Sequence, residues 1–299
     1  MELNLGKMVT EQRNPCTMEL DSMTPLEIIT VMNREDAGIC AAVGDHLGEI
    51  ARVVEWSVQC LREGGRIFYM GAGTSGRLGL LDASECPPTF GVSPETVVGL
   101  IAGGEEAFTR AVEGAEDDRE LGRRDLEAHG LTGRDLVIGL SASGRTPYVL
   151  GGLEYASLVG CHTASISCNA DSELARAAQI GIEIVTGPEI LTGSTRLKAG
   201  TAQKMVLNMI STAAMVGIGK AYQNLMVDVV QTNDKLRERA LHIVMEATGT
   251  DRESARLALD RAGGKCKTAI TMILAGCDAE EAKKRLEAAN GQVRAAILE

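Results

Sequence analysis

The chain has 299 residues, of which 44% are hydrophobic but only 3% aromatic, and its formal net charge is −11. Basic residues are interspersed among the acidic ones, so no nucleic-acid partner is expected. The eight cysteines form no CxxC pair, and no apolar run of about 18 residues occurs, so we expect a reduced, cytoplasmic protein with no metal site and no membrane span.

The first part of the chain, residues 1–52, is predicted to form an N-terminal arm and helix. Residues 1–24 are polar and irregular, and Thr24-Pro25 is a helix start signal. Apolar residues then recur at helical spacing from Pro25 to Arg62, with an interruption near Gly38. This pattern predicts one or two long helices.

Short apolar runs separated by helical or loop sequence follow in the next part of the chain. They lie at residues 66–71, 97–101, 135–140, 162–167 and 180–185. Such alternation predicts an α/β domain with a doubly wound parallel sheet, which we assign to residues 53–217. Its last segment, 198–217, is apolar on almost every face and predicts a buried helix.

Residues 218–299 are predicted to form a small helical region, because strand signals stop after residue 217. A pattern that runs from Asp251 to Ile270 recurs 27 residues later, from Asp278 to Ile297. It predicts two related helix-turn-helix units, each with an acidic start and a glycine stop, that bury their apolar faces on each other. We assign this region a role in structure or assembly.

Two loops rich in glycine and hydroxyl groups directly follow predicted strands: GAGTSG at 71–76 and SASGRTP at 141–147. Glycines allow close backbone approach, and hydroxyls beside a helix N-terminus can donate to phosphate oxygens. The candidate phosphate-binding residues are Thr74, Ser75, Gly76, Ser141, Ser143 and Thr146. The alternative for each loop is an ordinary turn.

Nucleotide binding is disfavoured for the first loop. GAGTSG superficially resembles a dinucleotide fingerprint, but the expected acidic residue and its context are missing, and there is no Walker lysine. A third polar cluster, TGSTRLK at 192–198, opens the predicted buried helix and would present Ser194, Thr195 and Lys198 to a ligand. Its alternative is a helix N-cap.

Together these motifs resemble the sugar isomerase (SIS) domain and, more narrowly, the N-acetylmuramic acid 6-phosphate etherase family. The segments that carry the resemblance are 10–15 (TEQRNP), 71–91, 101–118, 141–149, 193–204 and 224–229. The resemblance implies a doubly wound SIS fold that binds a sugar phosphate at the carboxyl ends of its strands, a homodimer, and UBA-like helical units near the C-terminus. It implies no cofactor.

The resemblance also implies a reaction, the cleavage of the D-lactyl ether of N-acetylmuramic acid 6-phosphate during amino-sugar recycling. Elimination from the open-chain sugar needs one base and one acid. By resemblance the acid is Glu85 and the base is Glu116, and their roles could be interchanged. By itself Glu116 reads as part of a solvated acidic surface, whereas Glu85 precedes Cys86 and two prolines in a more apolar stretch.

Two other functions fit the same fold. A phosphosugar isomerase would share the base but needs no acid for a leaving lactate. A non-catalytic sugar-phosphate sensor would keep the phosphate loops and could lose either carboxylate. The presence of both Glu85 and Glu116 favours catalysis.

Overall fold

The computed structural model describes residues 8–231 and 233–298, so the predictions for residues 1–7 lie outside the described residues. The chain divides into two compact units. The first comprises the described residues of Met1–Ser84 and Glu95–Ser211, and the second those of Glu85–Pro94 and Thr212–Glu299. The predicted limits at residues 52 and 217 stay predictions.

The strands and helices are numbered in chain order. The strands are β1 Ile67–Gly71, β2 Val97–Ile101, β3 Leu136–Leu140, β4 His162–Ser167, β5 Ile180–Glu183, β6 Ala221–Tyr222 and β7 Leu225–Met226. The α-helices are α1 Pro25–Asp36, α2 Ile39–Gly44, α3 Leu47–Arg62, α4 Gly73–Phe90, α5 Glu106–Thr109, α6 Arg119–Ala128, α7 Pro147–Val159, α8 Glu173–Ala177, α9 Lys198–Gly217, α10 Asp234–Thr248, α11 Arg252–Arg261, α12 Cys266–Ala275, α13 Ala279–Ala288 and α14 Val293–Ala296.

The first unit contains a five-stranded parallel sheet in the order β2-β1-β3-β4-β5. Every residue of β1 and β3 is buried, as expected for central strands covered by helices on both faces. The chain passes from β1 to β2 at one edge and then returns to place β3 on the other side of β1. The predicted doubly wound α/β fold is therefore confirmed.

The region from residue 25 to 62 contains two long helices, α1 and α3, as expected, and the short helix α2 between them, which was not predicted. Helix α1 begins as predicted, with Pro25 in its first turn and a capping box between Thr24 and Glu27. The second break lies at Asp45 and His46. Buried apolar residues continue on both sides of this break, so hydrophobic spacing alone did not reveal it.

Helix α4 starts at Gly73, inside the first predicted loop, and runs through Pro87 and Pro88. Proline lacks a backbone donor and is unfavourable inside a helix, so these two residues by themselves would favour an earlier end. The helix stops at Gly91, whose φ of +63° favours glycine. A Cβ at Gly91 would lie 2.4 Å from the Asp228 carbonyl oxygen, so a larger residue does not fit.

The second unit is mainly helical and confirms the predicted internal repeat. Asp251 and Asp278 cap the N-termini of α11 and α13 through their side chains. Equivalent small residues of the two repeats, Ala255 and Ala282, are fully buried in one shared core. The short hairpin of β6 and β7 was not predicted, since its two-residue strands are too short to show a hydrophobic pattern.

Within the described parts of the chain, none of the helices is both long enough and apolar enough to span a membrane.

Candidate functional site

The two predicted phosphate loops lie side by side in the first unit. The first loop follows β1 and the second follows β3, and these strands pair in parallel up to Gly71 and Leu140. The strand order reverses between β1 and β3. In open α/β sheets ligands bind outside the carboxyl ends of the strands at such a reversal. The topology therefore brings both loops to the expected ligand position.

The first loop turns directly into α4, so Thr74, Ser75 and Gly76 form the first turn of a long helix. The positive end of the helix dipole and its free backbone donors therefore point towards the loop. Ser75 is buried, and its hydroxyl donates to Oε1 of Gln203 over 2.9 Å. The turn is tight, since a Cβ at Gly76 would lie 2.6 Å from the Gly71 carbonyl oxygen.

This close approach predicts that Gly76→Ala destabilises the protein. The methyl group would force the Gly71–Gly76 turn open against Ile101, which costs about 2–3 kcal/mol and weakens sugar-phosphate binding. Denaturant unfolding and ligand titration measure the two effects. Gly73→Ala is the control, because a Cβ there meets nothing within 4 Å and only the positive φ of +52° is strained, at about 1 kcal/mol. Equal losses in both variants would contradict the steric explanation.

In the second loop the hydroxyls form a hydrogen-bonded cluster. The Ser141 hydroxyl lies 3.1 Å from that of Ser143 and 2.8 Å from that of Thr146, and it also accepts from the Gly144 backbone. Thr146 precedes α7, whose first residue is Pro147. The structure thus gathers the three predicted hydroxyls at a second helix N-terminus, beside the first loop.

The backbone of the second loop is anchored by Asn169, which the sequence analysis did not single out. Its amide donates to the carbonyl oxygens of Ala142 and Ser143 and to the hydroxyl of Thr10. Thr10 belongs to the TEQRNP segment. The TEQRNP segment is therefore linked to the second loop through the Asn169 side chain.

The third polar cluster leads into α9 as predicted, but the helix is capped by a different residue. The carboxylate of Glu189, which is buried, accepts from the backbone N–H groups of Lys198 and Ala199 at 2.9 Å each. Burial raises the pKa of Glu189, against the opposing effect of these two hydrogen bonds. Ser194 and Thr195 are half-buried and remain candidates for ligand contact.

Lys198 is 3% exposed, and its ammonium donates to Glu35 over 3.0 Å. Asn14, the fifth residue of TEQRNP, donates to the same carboxylate oxygen over 2.8 Å. Burial acts to raise the pKa of Glu35, but the hydrogen bonds from Asn14 and Lys198 outweigh it and hold that pKa below its usual 4.5. The charge of Lys198 is thus neutralised by a neighbour within the first unit.

We expect Lys198→Met to lower the free energy of unfolding by about 2–4 kcal/mol at neutral pH, since it leaves the Glu35 charge without its partner. Because the pKa of Glu35 is depressed on folding, its ionised form stabilises the protein above its usual pKa of 4.5, and this contribution is lost as the pH falls through the depressed value. The difference between wild type and variant should therefore shrink below pH 4.5. Urea unfolding across this range measures it.

The matched control is Lys283→Met, which removes an exposed ion pair with Glu280. Exposed pairs contribute about 0–1 kcal/mol, so this variant should resemble wild type at every pH. A Lys198→Met loss that is independent of pH would contradict the role assigned to the Glu35 pair.

Glu116 lies in a cleft of about 310 Å³ within the first unit. The cleft is also lined by Ala72 and Gly73 of the first loop, and by Glu113 and Asp117. Glu116 is exposed and sits in a single 3₁₀ turn, Ala115–Asp117, that follows Gly114 in a left-handed conformation. The structure therefore brings this predicted carboxylate beside the predicted phosphate loop.

Arg77 also lines the cleft and is a second residue that the sequence analysis missed. Its guanidinium donates to the carbonyl oxygens of Phe108 and Ala107 at 2.8 Å each. It thereby ties helix α4 to the segment that leads towards Glu116. The position of Arg77 directly after GAGTSG was the only available signal, and nothing in the local pattern distinguishes it from a surface arginine.

Glu85 lies on the part of α4 that belongs to the second unit, and it is exposed. Its charge is therefore not buried and carries no desolvation cost, contrary to what the apolar sequence around it suggested. The next residue, Cys86, is buried. Among the described residues no cluster of three or more His, Cys, Asp or Glu side chains could hold a metal ion.

Comparison with known proteins identifies two overlapping domain families. Residues 49–157 match the glucokinase regulatory protein N-terminal SIS domain, and residues 126–213 match the SIS domain. A solved structure with a similar fold, a phosphoheptose isomerase from Francisella tularensis, is 14% identical, with a TM-score of 0.49, and the match covers 65% of this chain and 100% of that one.

Much more similar relatives cover almost the whole chain. An N-acetylmuramic acid 6-phosphate etherase of Geobacillus is 60% identical over 90% of this chain and 92% of its own length. Etherases of Pectobacterium atrosepticum and Cronobacter sakazakii are 60% and 59% identical, each over 91% of this chain and over 90% and 92% of their own lengths. The chain therefore belongs to the N-acetylmuramic acid 6-phosphate etherase family.

Proposed function

We propose that the chain is a lyase that cleaves the D-lactyl ether of N-acetylmuramic acid 6-phosphate, giving N-acetylglucosamine 6-phosphate and D-lactate in the recycling of cell-wall amino sugars. The observation that carries this proposal is the identity of about 60% with proteins named as etherases for this substrate, over 90% of the chain. Chains this similar keep the same fold, and the motifs at the carboxyl ends of β1 and β3 suit a sugar phosphate.

The chemistry follows from the open-chain form of the sugar. Its aldehyde makes the proton on carbon 2 acidic, so a base can remove it, and the electron pair then expels lactate from carbon 3. An acid gives the departing ether oxygen its proton, and water adds across the resulting double bond, with its hydroxyl on carbon 3 and a proton on carbon 2. The sum is hydrolysis of the ether, which needs two carboxyl groups in separate roles.

We assign the base to Glu116 and the acid to Glu85. The cleft that Glu116 shares with Gly73 supports the first assignment, because it places a carboxylate beside a loop suited to a sugar phosphate. The second assignment rests on the family resemblance of the segment around Glu85.

The phosphate is assigned to the two loops at the strand reversal. Their backbone N–H groups and hydroxyls can surround the oxygens of an anion in spite of the chain's net charge of −11. The proposed contacts are Thr74, Ser75, Gly76, Ser141, Ser143 and Thr146, with Ser194, Thr195 and Lys198 as a third group. In this third group the Lys198 ammonium would have to donate to the phosphate while it also donates to Glu35.

The experiment is to incubate the purified protein with N-acetylmuramic acid 6-phosphate in heavy water. We expect D-lactate release, measured with a coupled dehydrogenase assay, and deuterium at carbon 2 of the sugar product, measured by mass spectrometry and NMR. Deuterium exchange or isomerisation without lactate would favour a phosphosugar isomerase. Binding of the sugar phosphate with neither reaction would favour a sensor.

We further propose a cytoplasmic homodimer. Large apolar side chains stand exposed on α1 and α3, with Leu26 at 70%, Ile29 at 59% and Leu47 at 54% exposure, and such surfaces suit a subunit interface. Light scattering should give about twice the chain mass of 31.6 kDa. Ile29→Glu should shift the protein towards the monomer, and a monomeric wild type would refute the dimer.

A further inference from the structure

Gln203 on α9 has a buried side-chain amide whose nitrogen makes no hydrogen bond. The residue is 1% exposed, and its Oε1 accepts the hydrogen bond from the Ser75 hydroxyl. Its Nε2 is fully buried and has no hydrogen-bond partner. A buried amide donor without a partner costs about 1–3 kcal/mol, so its retention calls for an explanation.

The amide lies directly behind the first phosphate loop. The turn of α9 that precedes Gln203 also touches this loop, since a Cβ at Gly200 would lie 3.5 Å from the Thr74 methyl group. Ser75 is in the first turn of α4, where backbone donors are free to meet an anion. Gln203 is therefore the group that accepts the hydrogen bond of the Ser75 hydroxyl beside these donors.

A phosphate group accepts hydrogen bonds, so it requires the Ser75 hydroxyl as a donor. In the observed arrangement this proton is directed inwards, to Oε1 of Gln203. If the amide rotates by half a turn, Nε2 takes the place of Oε1 and donates to the Ser75 oxygen, which releases the hydroxyl proton towards the loop. The rotation keeps one hydrogen bond and leaves one amide atom unpaired in either state, so the two states are close in energy.

We propose that Gln203 is a positioning residue for phosphate recognition, and that rotation of its side-chain amide turns the Ser75 hydroxyl from an inward to an outward donor when the sugar phosphate binds. The inference rests on the proposed function only in taking Ser75 as a phosphate contact. It assigns the unpartnered Nε2 a role in the bound state.

The test measures binding of N-acetylglucosamine 6-phosphate by isothermal titration calorimetry, with melting temperatures recorded to confirm folding. Gln203→Met keeps the length of the side chain but cannot donate to Ser75, and we expect binding about tenfold weaker. Gln203→Glu, an isosteric second variant at about pH 8, only accepts when ionised and adds negative charge, so it should bind more weakly still. In turnover, Gln203→Met should raise KM with little change in kcat, as expected for uniform binding.

Two further variants separate positioning from general packing. In a Ser75→Ala background, Gln203→Met should cause no additional loss of affinity, because the hydroxyl that it orients is gone. Ser211→Ala is the matched control, since it removes another side-chain hydrogen bond between α9 and α4, the partly buried bond from Ser211 to Asp82. We expect it to affect melting but to leave binding within about twofold of wild type.

The inference is overturned if folded Gln203→Met or Gln203→Glu binds the sugar phosphate within about twofold of wild type. Additive losses for Gln203→Met and Ser75→Ala would also overturn it, as would a loss of affinity in Ser211→Ala equal to that of Gln203→Met. The calorimetry requires no turnover. A protein that binds the ligand but releases no lactate would therefore refute the proposed function and leave this test intact.

Discussion

Replacing Glu116 with glutamine should abolish both deuterium exchange at carbon 2 and lactate release, with a fall in kcat of about 100- to 10,000-fold. The amide keeps the shape of the side chain but cannot take up the proton. No later step can proceed without proton removal, so both readouts should fall together. Substrate affinity should change much less, because the proposed phosphate-binding loops are unaltered.

Glu113→Gln is the matched control for this variant. Glu113 is another exposed glutamate that lines the same cleft as Glu116. The substitution removes the same unit of charge from the cleft without touching the proposed base, so we expect kcat within about threefold of wild type. If both variants lost exchange equally, the effect would come from the charge of the cleft and not from a base at Glu116.

Replacing Glu85 with glutamine should separate the two readouts. Lactate release should fall by about 100- to 10,000-fold, because the ether oxygen no longer receives a proton as it departs. Exchange at carbon 2 should continue, since proton removal precedes departure of the lactate. The measurement is the ratio of deuterium in recovered substrate to lactate in solution, which should rise above that of wild type.

The Glu85 and Glu116 variants also test each other. Loss of exchange in Glu85→Gln, together with retained exchange in Glu116→Gln, would interchange the base and the acid. Normal lactate release by Glu85→Gln would remove this residue from the mechanism. Chemical rescue offers a further check. A small carboxylic acid added to the solution, such as formic acid, should replace the missing proton donor and accelerate lactate release by Glu85→Ala but not by wild type.

Much of the fold was predictable from the sequence, because the hydrophobic pattern of each strand or helix lies within a short stretch of the chain. Short apolar runs separated by helical sequence are the pattern of buried parallel strands, and β2 and β4 were predicted with the bounds that the structure has. The bounds of α9 were also correct. The structure overrides local preference at the two prolines that α4 accommodates near its end, and hydrophobic spacing did not reveal the break at Asp45 and His46.

For the candidate site, the two hydroxyl-rich loops were predictable from the sequence because glycine and serine directly after a strand favour turns and anion binding. Their partners were not predictable in the same way. Gln203, Asn169 and Arg77 are ordinary residues in ordinary patterns, and each is distant in the chain from at least one of the groups that it contacts. Only the packing of α9 and the arrangement of the loops bring them to the site.

By itself, the sequence determined the α/β class, the order of its elements, the helical repeat near the C-terminus and the segments shared with the etherase family, because each of these is written in residues close together along the chain. The tertiary structure decided which loops are neighbours and what each polar side chain contacts. The reversal of strand order between β1 and β3 places the two loops side by side. Tertiary packing brings Lys198 into contact with Glu35, and Ser75 into contact with Gln203. These contacts depend on distances between remote parts of the chain, which periodicity and local motifs do not encode.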